Sequence, residues 1–194
     1  MKIKKCLFLG YSEKKTSIIK FLKKKNYVVK NFKNIPNFTY FKQSDIIISF
    51  GLRKIINKKI LSAITCPIIN IHLAYLPYNR GAHPNFWSFI EKTPSGITIH
   101  EIDTGIDTGK IILRKKIRFN INNIKFNTFK KTYNFLFKNA EKLFKKNFNY
   151  IAGGKYNYIL TGKNGTFHNK CDLPLFVKKW DTNIKDTIKL YNNS

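Results

Sequence analysis

The sequence predicts an α/β fold: a mostly parallel β-sheet with helices on both faces. Three observations carry that expectation. The apolar runs are short, do not alternate with polar residues, and stop at a glycine or a polar pair, as strands buried on both faces do. Segments with apolar residues at helical spacing lie between them, the order of βαβ units. The 43% hydrophobic content of 194 residues is ample for one core and excludes a disordered basic tail.

Taken in order, residues 5–10 form an apolar run closed by Gly10, a first strand. Residues 16–22 place Ile18, Ile19 and Leu22 at helical spacing, and residues 27–29 are β-rich. Residues 45–51 (Asp-Ile-Ile-Ile-Ser-Phe-Gly) read as a buried strand, 58–64 as a helix and 67–72 as another strand. A Pro- and Gly-containing loop at 76–84 leads to a helix at 85–91; strands follow at 96–103 and 110–119. Residues 127–151 are amphipathic and lysine-rich, one long helix packed on the sheet. Residues 152–194, with Gly153, Gly154, Gly162 and Gly165, are expected to be irregular. No repeat or linker divides the chain, so one domain over 1–194 is expected.

Lys and Arg number 37 against 10 Asp and Glu, a formal charge of +27. Such a balance ordinarily points to nucleic acid. Here only Arg53, Arg80, Arg114 and Arg118 are arginines, and the lysines are scattered along the chain. Dispersed solvated lysines, in a composition also rich in Ile, Asn, Phe and Tyr, are the simpler reading, and a nucleic-acid partner is disfavoured. No run is long enough to cross a membrane, and the opening residues read as a strand, not a leader. Cys6, Cys66 and Cys171 form no paired framework, which suits a reducing interior, so a soluble cytoplasmic protein is expected.

In parallel sheets ligands gather beyond the carboxyl ends of the strands. That rule selects Gly10-Tyr11, Phe50-Gly51, Asn70-Ile71-His72 and the loop at 103–109. Asn70 and His72 are two apart and share a face, where burying a polar pair is costly unless it is used. Taken alone, the pair is equally an ordinary strand-end histidine beside a turn asparagine. Asp103 and Asp107, set among Gly105 and Gly109, are two carboxylates on a loop or simply a plain turn. There is no phosphate-binding glycine loop, no G-x-S-x-G elbow, no calcium-loop spacing, and no metal-ligand spacing among His72, His83, His100 and His168.

Taken together, Asn70-Ile71-His72, Leu76-Pro77, Arg80-Gly81, Gly96-Ile97-Thr98-Ile99-His100 and Asp107-Thr108-Gly109 resemble the folate-dependent formyltransferase family, which comprises glycinamide ribonucleotide, methionyl-tRNA and sugar N-formyltransferases. The stretch from Tyr75 to Phe89, with Gly165-Thr166-Phe167-His168 and Trp180-Asp181-Thr182, is most similar to short single-domain members linked to amino-sugar modification. The resemblance implies a Rossmann-like formyltransferase fold and transfer of a formyl group from 10-formyltetrahydrofolate to a primary amine. It implies catalytic Asn70, His72 and Asp107. An amine attacking a formyl carbon builds an oxyanion, which the Asn70 amide and a protonated His72 would stabilise while Asp107 holds the imidazolium.

By the same resemblance the folate pterin would lie between the loop from Asp103 through Thr104 and Gly105 to Asp107 and backbone groups of Lys54, Ile55 and Ile56. Gly10, Tyr11, Arg80 and Gly81 would meet the acceptor, and Thr98 and His100 would stand behind the catalytic set, unless they are ordinary strand residues. No metal is implied. The partners implied are a small-molecule amine and folate, with a homodimer left open. Methionyl-tRNA enzymes carry a second domain, and only about 85 residues follow Gly109. Glycinamide ribonucleotide enzymes carry a glycine-rich phosphate loop after the first strand, which Gly10-Tyr11-Ser12-Glu13 does not reproduce. An amino-sugar nucleotide is therefore the expected acceptor, with the other two as alternatives. A reading from another class is a non-catalytic, basic nucleic-acid-binding relic, against which the intact Asn70, His72 and Asp107 argue.

Overall fold

The computed structural model describes residues 3–162 and 164–194. In chain order the elements are β1 (Lys4–Gly10), α1 (Ile18–Lys24), β2 (Tyr27–Phe32), α2 (Phe38–Lys42), β3 (Ile46–Phe50), α3 (Lys58–Ser62), β4 (Ile68–His72) and β5 (Arg80–Gly81). They continue with α4 (Pro84–Ile90), β6 (Gly96–Glu101), β7 (Ile111–Lys116), α5 (Phe129–Lys146), α6 (Phe148–Gly153), β8 (Phe167–His168) and α7 (Ile184–Asn192).

Six strands form the main sheet in the order β2-β1-β3-β4-β6-β7. β2, β1, β3 and β4 run parallel, with Leu7 level with Ile47 and Ile47 level with Ile68. β6 runs the other way beside β4: Ile102 N donates to Ile68 O at 2.9 Å, and His100 lies level with Asn70. The mostly parallel sheet with its helices is the arrangement expected from the sequence. No helix among the described residues is long and apolar enough to cross a membrane.

Contacts gather into two units. The first comprises the chain up to His72, Ile99–Leu113 and Glu141–Ile159. Its strands bury both faces, which is why their sequences do not alternate. Leu7, Leu9, Ile47 and Ile68 join Phe41 and Ile56 in one cluster, so the alternate residues Phe8, Ile48 and Ile69, fully buried as well, point to the opposite face. α1 buries Ile18, Ile19 and Leu22. Its start is held from the part of α5 that belongs to the same unit: Glu141 Oε1 accepts from Ser17 N at 2.6 Å and from Thr16 Oγ1 at 2.7 Å.

The second unit comprises Leu73–Thr98, Arg114–Ala140 and Leu160–Ser194. Phe86 and Trp87 of α4, Phe129 of α5 and Ile184 of α7 form its core. Asn85 Nδ2 donates to Phe129 O at 3.0 Å and Thr132 Oγ1 at 3.1 Å, joining α4 to α5. His168 of β8 stacks on Trp87 at 3.8 Å between centroids. Its Nε2 lies 2.7 Å from Glu91 Oε1 without the alignment of a hydrogen bond.

Two expectations are corrected. The helix expected over 127–151 is two helices: the backbone leaves helical geometry at Asn147, φ −106° and ψ 16°, where the side chain also donates to Leu143 O at 2.8 Å. The end of the chain is not irregular. Asn183 Oδ1 accepts from Lys185 N at 2.9 Å to open α7. Ile184, Ile188 and Tyr191, at helical spacing, face the core of the second unit.

Candidate active site

β4 delivers Asn70 and His72 at its carboxyl end, and alternation turns both to the face carrying Ile47 and Ile68. β6 brings His100 alongside, and the loop between β6 and β7 brings Asp107. All four belong to the first unit. Asp107 Oδ2 lies 3.6 Å from His72 Nδ1, and Oδ1 lies 3.4 Å from His100 Nε2 and 3.2 Å from Asn70 Nδ2. Asn70 Nδ2 is also 3.1 Å from His100 Nε2. The His72 and Asp107 side chains are only 10% and 13% exposed, so these contacts act in a setting that screens charge less than water does.

The network assigns the proton positions. His100 Nδ1 lies 2.7 Å from Glu101 O, a pure acceptor, so Nδ1 carries a proton. The carboxylate oxygen of Asp107 takes the nitrogen end of the Asn70 amide as its donor, at 3.2 Å. Asn70 Nδ2 thus faces the cluster, with Asp107 Oδ1 and His100 Nε2 as its neighbours. His100 Nε2 lies beside both Asn70 and Asp107.

The β6–β7 loop is built to present Asp107. Glu101 N donates to Lys110 O at 3.0 Å across its base. Gly109 is required there, because a Cβ would stand 1.8 Å from Glu101 O. Asp107 itself has φ 53°, the left-handed region that aspartate tolerates better than most residues. Asp103 Oδ1 accepts from Gly105 N at 3.0 Å and Thr108 Oγ1 at 2.6 Å. Asp103 therefore turns an oxygen into its own loop, where the sequence led us to expect a folate contact; Thr104 and Gly105 are exposed. Thr108 was not anticipated, although the Asp-x-Gly spacing signals a side-chain-closed turn.

The remaining expected residues divide between the units. After β3, Lys54 and Ile55 are exposed, the latter 65%, whereas Ile56 is 3% exposed and packs in the core with Leu7 and Leu9. A ligand there would meet the Ile55 side chain and the backbone, not the side chain of Ile56. Gly10 ends β1, and Tyr11 N donates to Phe50 O at 2.8 Å while the Tyr11 ring meets Phe50 edge-on at 5.0 Å. Arg80 and Gly81 lie in the second unit as β5, paired with Phe167 and His168 of β8. Thr98 is buried in that unit, donating to Ala74 O at 2.8 Å and accepting from Leu76 N at 3.1 Å. It shapes the turn that follows β4. No group of three His, Cys, Asp or Glu side chains suited to a metal ion occurs among the described residues.

The chain is 36% identical to the crystal structure of the formyltransferase PseJ from Anoxybacillus kamchatkensis in complex with UDP-4,6-dideoxy-4-formamido-L-AltNAc and tetrahydrofolate, covering 93% of this chain and 96% of that one at a TM-score of 0.83. It is 26% identical over 149 residues to a dTDP-4-amino-4,6-dideoxyglucose formyltransferase of Mycobacterium tuberculosis, matching 77% of this chain and 61% of that relative's length. It is 41% identical over 76 residues to a methionyl-tRNA formyltransferase of Thermodesulfovibrio yellowstonii, 39% of this chain and 24% of the relative. The chain thus spans about 61% of the length of the first curated relatives it matches. The profile described as formyl transferase matches residues 4–144, a span that takes in β1 to β4, the Asn70-His72 strand end and the Asp107 loop, and by that match the chain belongs to the formyl transferase family.

Proposed function

We propose that this chain transfers a formyl group from 10-formyltetrahydrofolate to the primary amine of a nucleotide-linked amino sugar. The observation that carries the reading is the buried cluster in which Asp107 stands against His72 while His100 and Asp107 together orient the Asn70 amide. The likeness to PseJ over nearly the whole of both chains supports a nucleotide-sugar acceptor above glycinamide ribonucleotide or methionyl-tRNA. The unpaired Cys6, Cys66 and Cys171 suit a cytoplasmic setting.

The donor set fits the folate: a carboxylate-backed imidazole and an oriented amide suit an acyl group, and the exposed Ile55 offers an apolar surface to a ring system. Ile55, the backbone at 54–56 and the exposed loop at Thr104-Gly105 would hold it. When bound, the folate supplies a formyl group on N10, so that one carbon–nitrogen bond breaks as another forms to the amine. Asn70 Oδ1 accepts a hydrogen bond from the amine and aims its lone pair. His72 is the group that stabilises developing negative charge and carries the proton lost by the amine, which N10 regains in the end. Asp107, at Nδ1, stabilises the ring when it is charged and leaves Nε2 for the reaction. The four side chains come from one copy of the chain.

The test is to incubate the protein with 10-formyltetrahydrofolate and a panel of amines, and to follow tetrahydrofolate release. UDP- and dTDP-linked amino sugars, glycinamide ribonucleotide and methionyl-tRNA should be included. Release only with nucleotide sugars is expected. Release with one of the other acceptors would replace the sugar, and no release with any amine would refute the reading.

A further inference from the structure

We propose that Asp103 is a positioning residue for Asp107, acting through the fold of their shared loop and not by contact with the folate. The inference rests on the reading of Asp107 as part of the reacting site. Asp107 sits at φ 53°, a conformation that persists in a non-glycine residue only where its surroundings impose it. Its own side chain faces His72, His100 and Asn70. The residue that follows it is fixed by a side-chain bond. Thr108 Oγ1 donates to Asp103 Oδ1 at 2.6 Å, and the same oxygen accepts from Gly105 N at 3.0 Å.

One carboxylate oxygen thus ties positions 103, 105 and 108 together, and residue 107 must take the course that the clamp allows. The turn is tight as well: a Cβ on Gly105 would stand 2.1 Å from Thr108 Oγ1. The base of the loop is closed separately, by Glu101 N on Lys110 O at 3.0 Å. Loss of the clamp should therefore free the tip that carries Asp107 while leaving the strands paired. A displacement of about 1 Å in a group serving the reaction can cost on the order of a hundredfold in rate.

The experiment compares Asp103→Ala, Asp103→Asn, Thr108→Val and Thr108→Ser in steady-state formyl transfer, with Asp107→Asn as reference. Asp103→Ala and Thr108→Val should each lower kcat about tenfold to a hundredfold, with KM for the folate changed less than about threefold. Asp103→Asn keeps an accepting oxygen and Thr108→Ser keeps the hydroxyl, so both should recover most of the lost turnover. Asp103→Ala combined with Thr108→Val should be little worse than either alone, since both break one clamp. The pH dependence of kcat in Asp103→Ala should move toward that of Asp107→Asn. The proposal is overturned if Asp103→Ala acts mainly on KM for the folate, if Asn at 103 or Ser at 108 fails to rescue, or if Thr108→Val is silent. If Asp107→Asn is itself silent, the reading of the site fails; if only the position-103 and position-108 variants are silent, the inference alone fails.

Discussion

Replacing Asp107 by Asn keeps the shape of the side chain and removes its charge, so the rate should fall while the fold remains. With Asp107 Oδ2 at 3.6 Å from His72 Nδ1, a charged ring and a carboxylate attract by about 4–5 kcal/mol at an effective dielectric constant of about 20. Desolvation and the residual exposure of the pair reduce this, leaving about 2–4 kcal/mol that acts only when the ring becomes charged. Spread over the barrier, that is a loss of about thirtyfold to a thousandfold in kcat. KM for the folate should stay nearly unchanged, because the attraction is felt in the transition state and not in binding. The assay is tetrahydrofolate release at saturating acceptor across a pH series. His72→Ala should cost at least as much, and the double variant should be far less damaged than the product of the single losses, since both residues serve one proton. An Asp107→Asn enzyme within about threefold of the parent, or a loss confined to KM, would refute the reasoning, as would a double variant that loses the full product.

Gly109→Ala should destabilise the protein by about 2–3 kcal/mol, because the added carbon meets Glu101 O at 1.8 Å. Differential scanning fluorimetry should show Tm lowered by about 4–12 °C, and an unchanged Tm would count against the loop geometry. Burial raises the Tyr156 hydroxyl from 10.0 to about 12, with the Glu101 charge adding to it, and burial raises the Cys66 thiol from 9.0 to about 11. In both, the folded state favours the neutral form. Their contribution is whole below about pH 9 and is lost as pH rises through about 11–12, so denaturation midpoints should fall steadily over that window. Tyr156→Phe should flatten the upper part of the fall. The +27 charge should give only weak RNA binding that disappears as salt rises, and nanomolar binding at physiological salt in a gel-shift titration would show a dedicated surface instead.

The elements most legible in the sequence are those whose signal is local. Uninterrupted apolar runs such as Ile46-Ile47-Ile48 and Ile68-Ile69 announce strands buried on both faces, and they are so buried. Asn70 and His72, two apart at the end of such a run, are placed on one face by the strand period alone. α7 was missed although its sequence carries an asparagine cap and apolar residues at Ile184, Ile188 and Tyr191. Nine residues with so few apolar positions are a weak periodic signal, and the helix owes its stability to the second unit's core more than to its own propensity. The single helix expected over 127–151 failed for the opposite reason: its apolar period runs on, but the backbone departs from helical geometry at Asn147, between α5 and α6.

The sequence by itself determined that the chain builds a mostly parallel α/β sheet and marked Asn70, His72 and the loop at 103–109 as chemically suggestive, because burial, strand period and turn chemistry are written in near neighbours; the family resemblance singled out Asp107 within that loop. Tertiary structure alone decided how those residues are used. It brought Asp107 to Asn70 across 37 positions, with His100 beside both, and it turned the nitrogen end of the Asn70 amide inward and Asp103 into its own loop. It also put the Ile56 side chain in the core while leaving Ile55 on the surface. Each of these outcomes depends on which donor lies within about 3 Å of which acceptor. That is set by the register of distant strands and the closure of a loop, and a carboxylate or an amide has the same letter in the sequence whichever way it faces.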